Sequence, residues 1–241
     1  MSGDVYLVKK AFPKEWVENI KKKVRLFFKQ SLPSFHKTYE NCPDFHRLID
    51  EEISKNYAVD VVKHAAYFFP WNGDPLNLFE DVWRRWSLYK IISGFSADQY
   101  VKNTPKDGVI DRIQICLYPS GGGGLKTHAD PYENQRIFIA TYLSKRGEDY
   151  QKGGFYSIDH NNHQVDLESK IEVGDMGFAY ATVVHGVDPI DPNEKKEFEN
   201  SKKGRWFMSL HSMDSDEKGD QRRTAQRINL SESQLSSAST Y

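Results

Sequence analysis

The sequence predicts an all-β core with a helical annex, and three observations lead there. Up to about residue 92 the apolar residues recur at spacings of three and four. From Ile110 onward they alternate, in short runs separated by Gly, Pro, Asp and Asn. At 241 residues and 38% hydrophobic, the chain can bury one substantial core with little left over. The expected organisation is a mainly helical region over 1–108 packed on a β core over 109–214, with a polar tail over 215–241.

The elements follow in chain order. From Pro13 to about Gln30, KEWVENIKKKVRLFFKQ sets Trp16, Ile20, Val24 and Phe27 along one stripe of an amphipathic helix. A second helix is expected from about Ala58 to Phe69. A third runs from Pro75, a favourable first-turn residue, to Ile92, with Leu78, Val82, Trp86 and Tyr89 in register and Gly94 ending it. The strands are RIQICLYP, RIFIATYLS, GGFYSID, a DMGFAYATVV run and RWFMSLHS. In RIQICLYP, alternation puts Ile113, Ile115 and Leu117 on a face that would pack under the helices, and turns Arg112, Gln114, Cys116 and Tyr118 inward. Polar side chains inside a small barrel line a pocket rather than a dry core. The tail from Ser215 is polar and serine-rich, so it is expected to be poorly ordered or peripheral.

Composition narrows the function classes. Lys and Arg number 33 and Asp and Glu 34, so no basic field draws the chain to nucleic acid or anionic lipid; small or neutral partners are expected. The N-terminus lacks a signal-peptide core, and no run approaches the roughly 18 apolar residues of a membrane span, which predicts a cytoplasmic protein. Cys42 and Cys116 support neither a disulfide scaffold nor a thiolate metal site. Any metal here needs His, Asp or Glu.

HADPYENQRIFIATYLS supplies two such residues. Positions i and i+2 of a strand point to one face, so His128 and Asp130 can aim an imidazole and a carboxylate at one point. A third ligand is offered by His185 in ATVVHGVDP, at the end of a later apolar strand that a jelly roll would bring back beside the first. Two histidines and a carboxylate on one face leave open positions on the metal, which suits non-haem Fe(II) with O₂ and a co-substrate. In RWFMSLHS, Arg205, Phe207, Ser209 and His211 share a face, so Arg205 and Ser209 can grip one ligand, and an inward arginine needs an anion.

Four motifs in order, CLYPSGGGGLKTHAD, TYLSKRGEDYQKGGFY, VGDMGFAYATVVHGV and GRWFMSLHS, make residues 110 to 212 resemble the iron- and 2-oxoglutarate-dependent dioxygenases, most closely the prolyl-4-hydroxylase-like branch. The resemblance implies a double-stranded β-helix, the jelly-roll or cupin-like fold, with N-terminal helices on one sheet. It implies Fe(II) held by His128, Asp130 and His185, and 2-oxoglutarate held by Arg205, Ser209, Tyr142 and Tyr118. O₂ would be the oxidant and ascorbate a stimulant, and a substrate C–H bond would be hydroxylated with release of succinate and CO₂. With no peptide-binding annex visible, a small molecule (an amino acid, sugar or biosynthetic intermediate) is the expected substrate. A protein prolyl hydroxylase is the alternative, and a non-catalytic cupin-like binding module the alternative outside enzymes.

The chain also departs from the pattern. DPNEKKEFENSKK lengthens the gap between His185 and Arg205 to twenty positions; it reads as a solvated hairpin loop, and were it a strand Arg205 would be misassigned. Arg136 sits one residue short of where some members carry an arginine, and receives no role. GGGGLKT lacks the lysine spacing and following helix of a phosphate loop. His160 and His163 in DHNNH read as a hairpin tip, and His36, His46 and His64 as surface or packing residues. For His211, substrate contact and structural bonding are equally open. The aromatic run AAYFFPW reads as core more readily than as a pocket wall.

Overall fold

The structure, a computed structural model, describes residues 4–198, 203–218 and 226–229. Strand β1 (Tyr6–Val8) precedes helix α1 (Lys14–Gln30), and β2 (Phe45–Ile49) is followed by a single helical turn, α2 (Glu51–Ser54). Next come β3 (Val61–Phe68) and α3 (Leu78–Ile92). The remaining strands are β4 (Val109–Pro119), β5 (Gly123–Ala129), β6 (Ile137–Tyr142), β7 (Gly154–Ile158), β8 (Gln164–Asp166), β9 (Met176–Tyr180), β10 (His185–Ile190), β11 (Gly204–Asp214) and β12 (Gln226–Arg227).

All pairings between named strands are antiparallel, in the order β1-β9-β6-β11-β4-β3-β5-β10-β7-β8, with β2 on β3 and β12 on β5. The result is a jelly-roll-like β core. Strand β3 is its joint: residues His64–Phe68 pair with β4, while Val61 and Val62 pair with β5.

That strand corrects the sequence reading, which expected a helix over 58–69. VVKHAAYF alternates two populations: Ala66 and Phe68 enter the cluster beneath the helices, while Ala65 and Tyr67 enter a second cluster on the other side. A strand apolar on both faces carries no period-two signal, and its Ala pair mimics helical composition. Region 1–108 therefore contributes three strands to the sheet. Two smaller differences follow. Helix α3 begins at Leu78, not Pro75, because the Asp74 carboxylate accepts the backbone N–H groups of Leu78, Phe79 and Glu80. The DMGFAYATVV run breaks at Tyr180, and His185 opens a strand instead of ending one.

One buried cluster gathers Val17, Ile20 and Val24 of α1, Leu78, Val82 and Trp86 of α3, and Ile113, Ile115 and Leu117 of β4 with Trp206, Met208 and Leu210 of β11. Trp16 and Phe27 pack at its margin. The opposite face of the same strands carries the polar set, turned toward a cavity of about 690 Å³ lined by Arg112, Gln114, Tyr118, Arg205, Ser209 and His211 among others. One side of each strand thus anchors the fold and the other furnishes the site. Residues 191–198 of the insert hold no strand, and 199–202 lie outside the described residues. Of the tail, Asp216–Lys218 form a short 3₁₀ turn and Gln226–Arg227 pair with Ala129 and His128; 219–225 and 230–241 lie outside the described residues. Among the described residues, no helix is long and apolar enough to cross a membrane.

Candidate active site

Strands β5 and β10 run antiparallel with His128 directly opposite His185. Facing residues of such a pair hold their Cβ atoms close, and here the imidazole centroids lie 4.3 Å apart. Asp130 follows the last residue of β5, where its N–H donates to Ala181 O across 2.9 Å and ties the strand end to the turn before β10. The three side chains converge, with one ligand atom from each within 4.8 Å of the others, the sole such cluster among the described residues.

The orientation of each ring is set from behind. His128 Nδ1 lies 2.9 Å from Lys126 O, and His185 Nδ1 lies 2.8 Å from Val183 O. A carbonyl can only accept, so each Nδ1 carries the proton and each Nε2 keeps its lone pair. Those Nε2 atoms face the carboxylate, at 3.6 Å from Asp130 Oδ1 for His128 and 3.9 Å from Oδ2 for His185. Burial, with His185 adding to it, pushes His128 down to about 4, so its ring is neutral near neutral pH. Burial works against the charge of Asp130, yet the pull of His185 and then His128 more than offsets it and holds the carboxyl below its ordinary range. Two imidazoles tethered by Nδ1 and one carboxylate, all turned inward, are the donor set of a divalent transition metal with free positions, so the residues fit Fe(II).

Across the cavity stands Arg205, 2% exposed, ringed by Tyr118, Tyr142, Phe155 and Phe207 with its Cζ 5.5–5.9 Å from their ring centroids. Tyr118 and Tyr142 are 0% and 1% exposed, and neither hydroxyl has a hydrogen-bond partner. Burial pushes both phenols up, so both remain protonated donors. Two unmet donors beside a buried guanidinium describe a receptor for an anion. Ser209 shares that face and bonds His211 Nε2 through its Oγ at 2.9 Å; burial first, then Arg112, pushes His211 down to about 3.

Other predicted residues fall elsewhere. Arg136 donates Nη1 to Ser93 O at 2.8 Å and lies over Phe95. His160 and His163 lie at the β7–β8 turn, where Asp159 accepts the His163 N–H. His46 and His64, read as surface or packing residues, are buried in β2 and β3 and bonded to each other. Sequence reasoning missed Glu168, whose carboxylate receives Arg205 Nε at 3.0 Å, Phe155 N–H at 2.6 Å and the Tyr150 hydroxyl. Gly154, at φ +125, makes room for it, since a Cβ there would lie 2.7 Å from Glu168 Cγ. It also missed Lys63 and Arg47, which line the cavity. No local pattern marks Glu168; Lys63 was hidden by the helical reading of its strand.

No protein-family model matches the chain, and no curated protein matches it. Solved structures align with it in fold. The prolyl hydroxylase from Trichoplax adhaerens, in complex with a hypoxia inducible factor oxygen degradation domain peptide fragment, aligns with a TM-score of 0.50 at 14% identity, over 89% of this chain and 84% of that one. A Pseudomonas putida prolyl-4-hydroxylase aligns at 0.49 and 14%, over 88% and 92%. EvdO2 from Micromonospora carbonacea var. aurantiaca, complexed with 2-oxoglutarate, aligns at 0.48 and 10%, over 97% and 91%. At these identities the likeness is one of fold: the chain has the β architecture of the Trichoplax enzyme.

Proposed function

We propose that this chain is an Fe(II)- and 2-oxoglutarate-dependent dioxygenase, built on a double-stranded β-helix, that hydroxylates a C–H bond of a small molecule. The observation that carries the reading is the tethering of both imidazoles by their Nδ1 atoms, which turns two lone pairs and one carboxylate onto a single point beside a buried arginine and two unmet tyrosine hydroxyls. Bound iron and 2-oxoglutarate would supply O₂ activation, with succinate and CO₂ as co-products.

The chain's own residues would do the following. His128, Asp130 and His185 would hold the metal within the cavity that they line. Arg205 takes the distal carboxylate of 2-oxoglutarate while Tyr118 and Tyr142 donate to its oxygens, charge-assisted bonds worth roughly 1.5–3 kcal/mol each. Glu168 holds Arg205 by its Nε, leaving the rest of the fork to the ligand. Phe155 and Phe207 flank the guanidinium and keep water from these bonds. Ser209 positions His211 toward the same cavity.

Anaerobic addition of Fe(II) and 2-oxoglutarate tests the reading, with a visible charge-transfer band expected in the wild type and absent from His128→Ala, Asp130→Ala and His185→Ala. An unchanged band in His185→Ala would place the third ligand elsewhere. Succinate release, screened with metabolites and with proline-containing peptides, separates the small-molecule reading from the peptide one.

A further inference from the structure

Three adjacent strands turn a cation into the cavity. Arg47 comes from β2, Lys63 from β3 and Arg112 from β4, and all line the same space as His128 and Asp130. Their convergence follows from register: Arg47 pairs with Ala65, two residues from both Lys63 and Tyr67, and Tyr67 pairs with Gln114, two residues from Arg112. Tyr67 is the centre of the group. Arg47 Cζ lies 5.2 Å from its ring centroid and Arg112 Cζ 5.0 Å, so the two charges are at most about 10 Å apart.

None of the three is in an ion pair among the described residues. Arg47 donates Nη2 to His36 O, and Arg112 donates Nη2 to Gln114 Oε1, both neutral acceptors. The Nε of each arginine is buried without a partner. None of the carboxylates along the cavity is bonded to them, although Asp130 attracts Arg112 and Lys63 from a distance. Asp130 belongs to the metal cluster, Asp214 accepts from Asn134 and Lys218, Asp216 accepts from Thr38, and Glu133 is exposed. Arg205, by contrast, has its own buried counter-charge in Glu168. The uncompensated charge therefore sits apart from the arginine that would take the co-substrate. Buried guanidinium N–H groups without acceptors are costly, and a cavity that keeps them is shaped for an anion arriving from outside.

We infer that Arg47, Arg112 and Lys63, arranged about Tyr67, form the substrate subsite and bind the carboxylate or phosphate group of an anionic small molecule. This rests on the oxygenase reading for its word "substrate", while the anion site itself rests on the three cations. Carboxylate and phosphate share the chemistry that a guanidinium fork reads, namely paired oxygens accepting parallel N–H bonds. A cavity of about 690 Å³ has room for such a molecule beside 2-oxoglutarate.

Calorimetry on the metal-free full chain tests this with phenylacetate, phenyl phosphate and neutral phenylacetamide. One or both anions should bind at least about tenfold tighter than the amide, and whichever anion leads identifies the group preferred. Arg47→Gln/Arg112→Gln should abolish that preference, and Arg136→Gln, at an arginine turned away to Ser93, should keep it. Should the double variant fail to fold, Arg112→Lys, which retains charge without the fork, should show an intermediate preference. Equal binding of amide and anions, or a preference kept in the double variant, overturns the inference. Because the measurement needs neither iron nor turnover, its failure is separate from loss of the Fe(II)–2-oxoglutarate band.

Discussion

Arg205 donates its Nε–H to the carboxylate of Glu168 across 3.0 Å, with both side chains buried. Burial alone would disfavour the charge on Arg205, but Glu168 outweighs it and holds the guanidinium protonated. Removing one member of such a pair strands the other. Glu168→Gln should therefore lower the unfolding free energy by about 3 kcal/mol or more, read by urea denaturation. A change below about 1 kcal/mol would mean that the pair relaxes into solvent.

The same pairing shapes what Arg205 variants report. Arg205→Ala should weaken 2-oxoglutarate at least about tenfold and Arg205→Lys less, since ammonium keeps charge without the fork. The Ala variant also leaves Glu168 buried without its counter-charge, held only by Phe155 N–H and the Tyr150 hydroxyl, so its stability should fall as well. Arg205→Ala/Glu168→Gln should recover part of that stability while co-substrate binding stays weak. Wild-type affinity in Arg205→Ala would point to Arg112 as the clamp, since Arg136 is turned away to Ser93.

Tyr142 should show function and stability pulling in opposite directions. Its hydroxyl is buried without a partner and meets the space over Gly177, where a Cβ would lie 2.4 Å away. Tyr142→Phe removes an unmet donor, so the ligand-free protein should be as stable or more stable, by up to about 1 kcal/mol, while 2-oxoglutarate binding weakens about three- to tenfold. Gly177→Ala should push the ring aside at a cost of about 1–3 kcal/mol. Adding Tyr142→Phe should relieve part of that cost, and a strictly additive double-mutant cycle would count against the contact.

His46 and His64 give a prediction about acid. His46 Nε2 lies 3.1 Å from Ser31 O and so carries a proton, which leaves its Nδ1 to accept from His64 Nε2 at 2.9 Å. His64 Nδ1 is then a buried lone pair without a donor. Protonating either ring breaks this arrangement, and burial first, then His46, pushes His64 down from 6.5 to about 3. With the folded value below the unfolded one, the unfolded chain binds more protons in this window. The stabilisation is complete above about pH 6.5 and is lost as pH falls toward 3, at up to about 1.4 kcal/mol per pH unit for each group. His64→Phe, which can keep the stack on Phe28, should flatten the fall in stability between pH 6 and 4 by about 1 kcal/mol per pH unit. His128 and His211 have the same sign, so some slope should remain. An unaltered slope would show that His64 does not titrate with folding.

The sequence by itself determined whatever depends on neighbours along the chain. Alternation in RIQICLYP and RWFMSLHS separates Ile113, Ile115 and Trp206 from Arg112, Tyr118 and Arg205, because a pleated strand sends successive side chains to opposite faces. The two-residue spacing of His128 and Asp130 likewise sets a metal pair, and the stripe through Ile20 and Val24 sets a helix. Only the tertiary structure decided what depends on partners far away in sequence. Strand β3 reads as a helix until β4, β2 and β5 pair with it, since burial on both faces removes the alternation that would have marked it. His185 becomes the partner of His128 through the β5–β10 register, and Glu168 meets Arg205 across 37 positions. Of the three cations, alternation marks only Arg112 as inward-facing, while Arg47 carries no pattern in the sequence and Lys63 stands inside a misread helix. What joins them is the lateral packing of three strands, a relation that chain spacing does not encode.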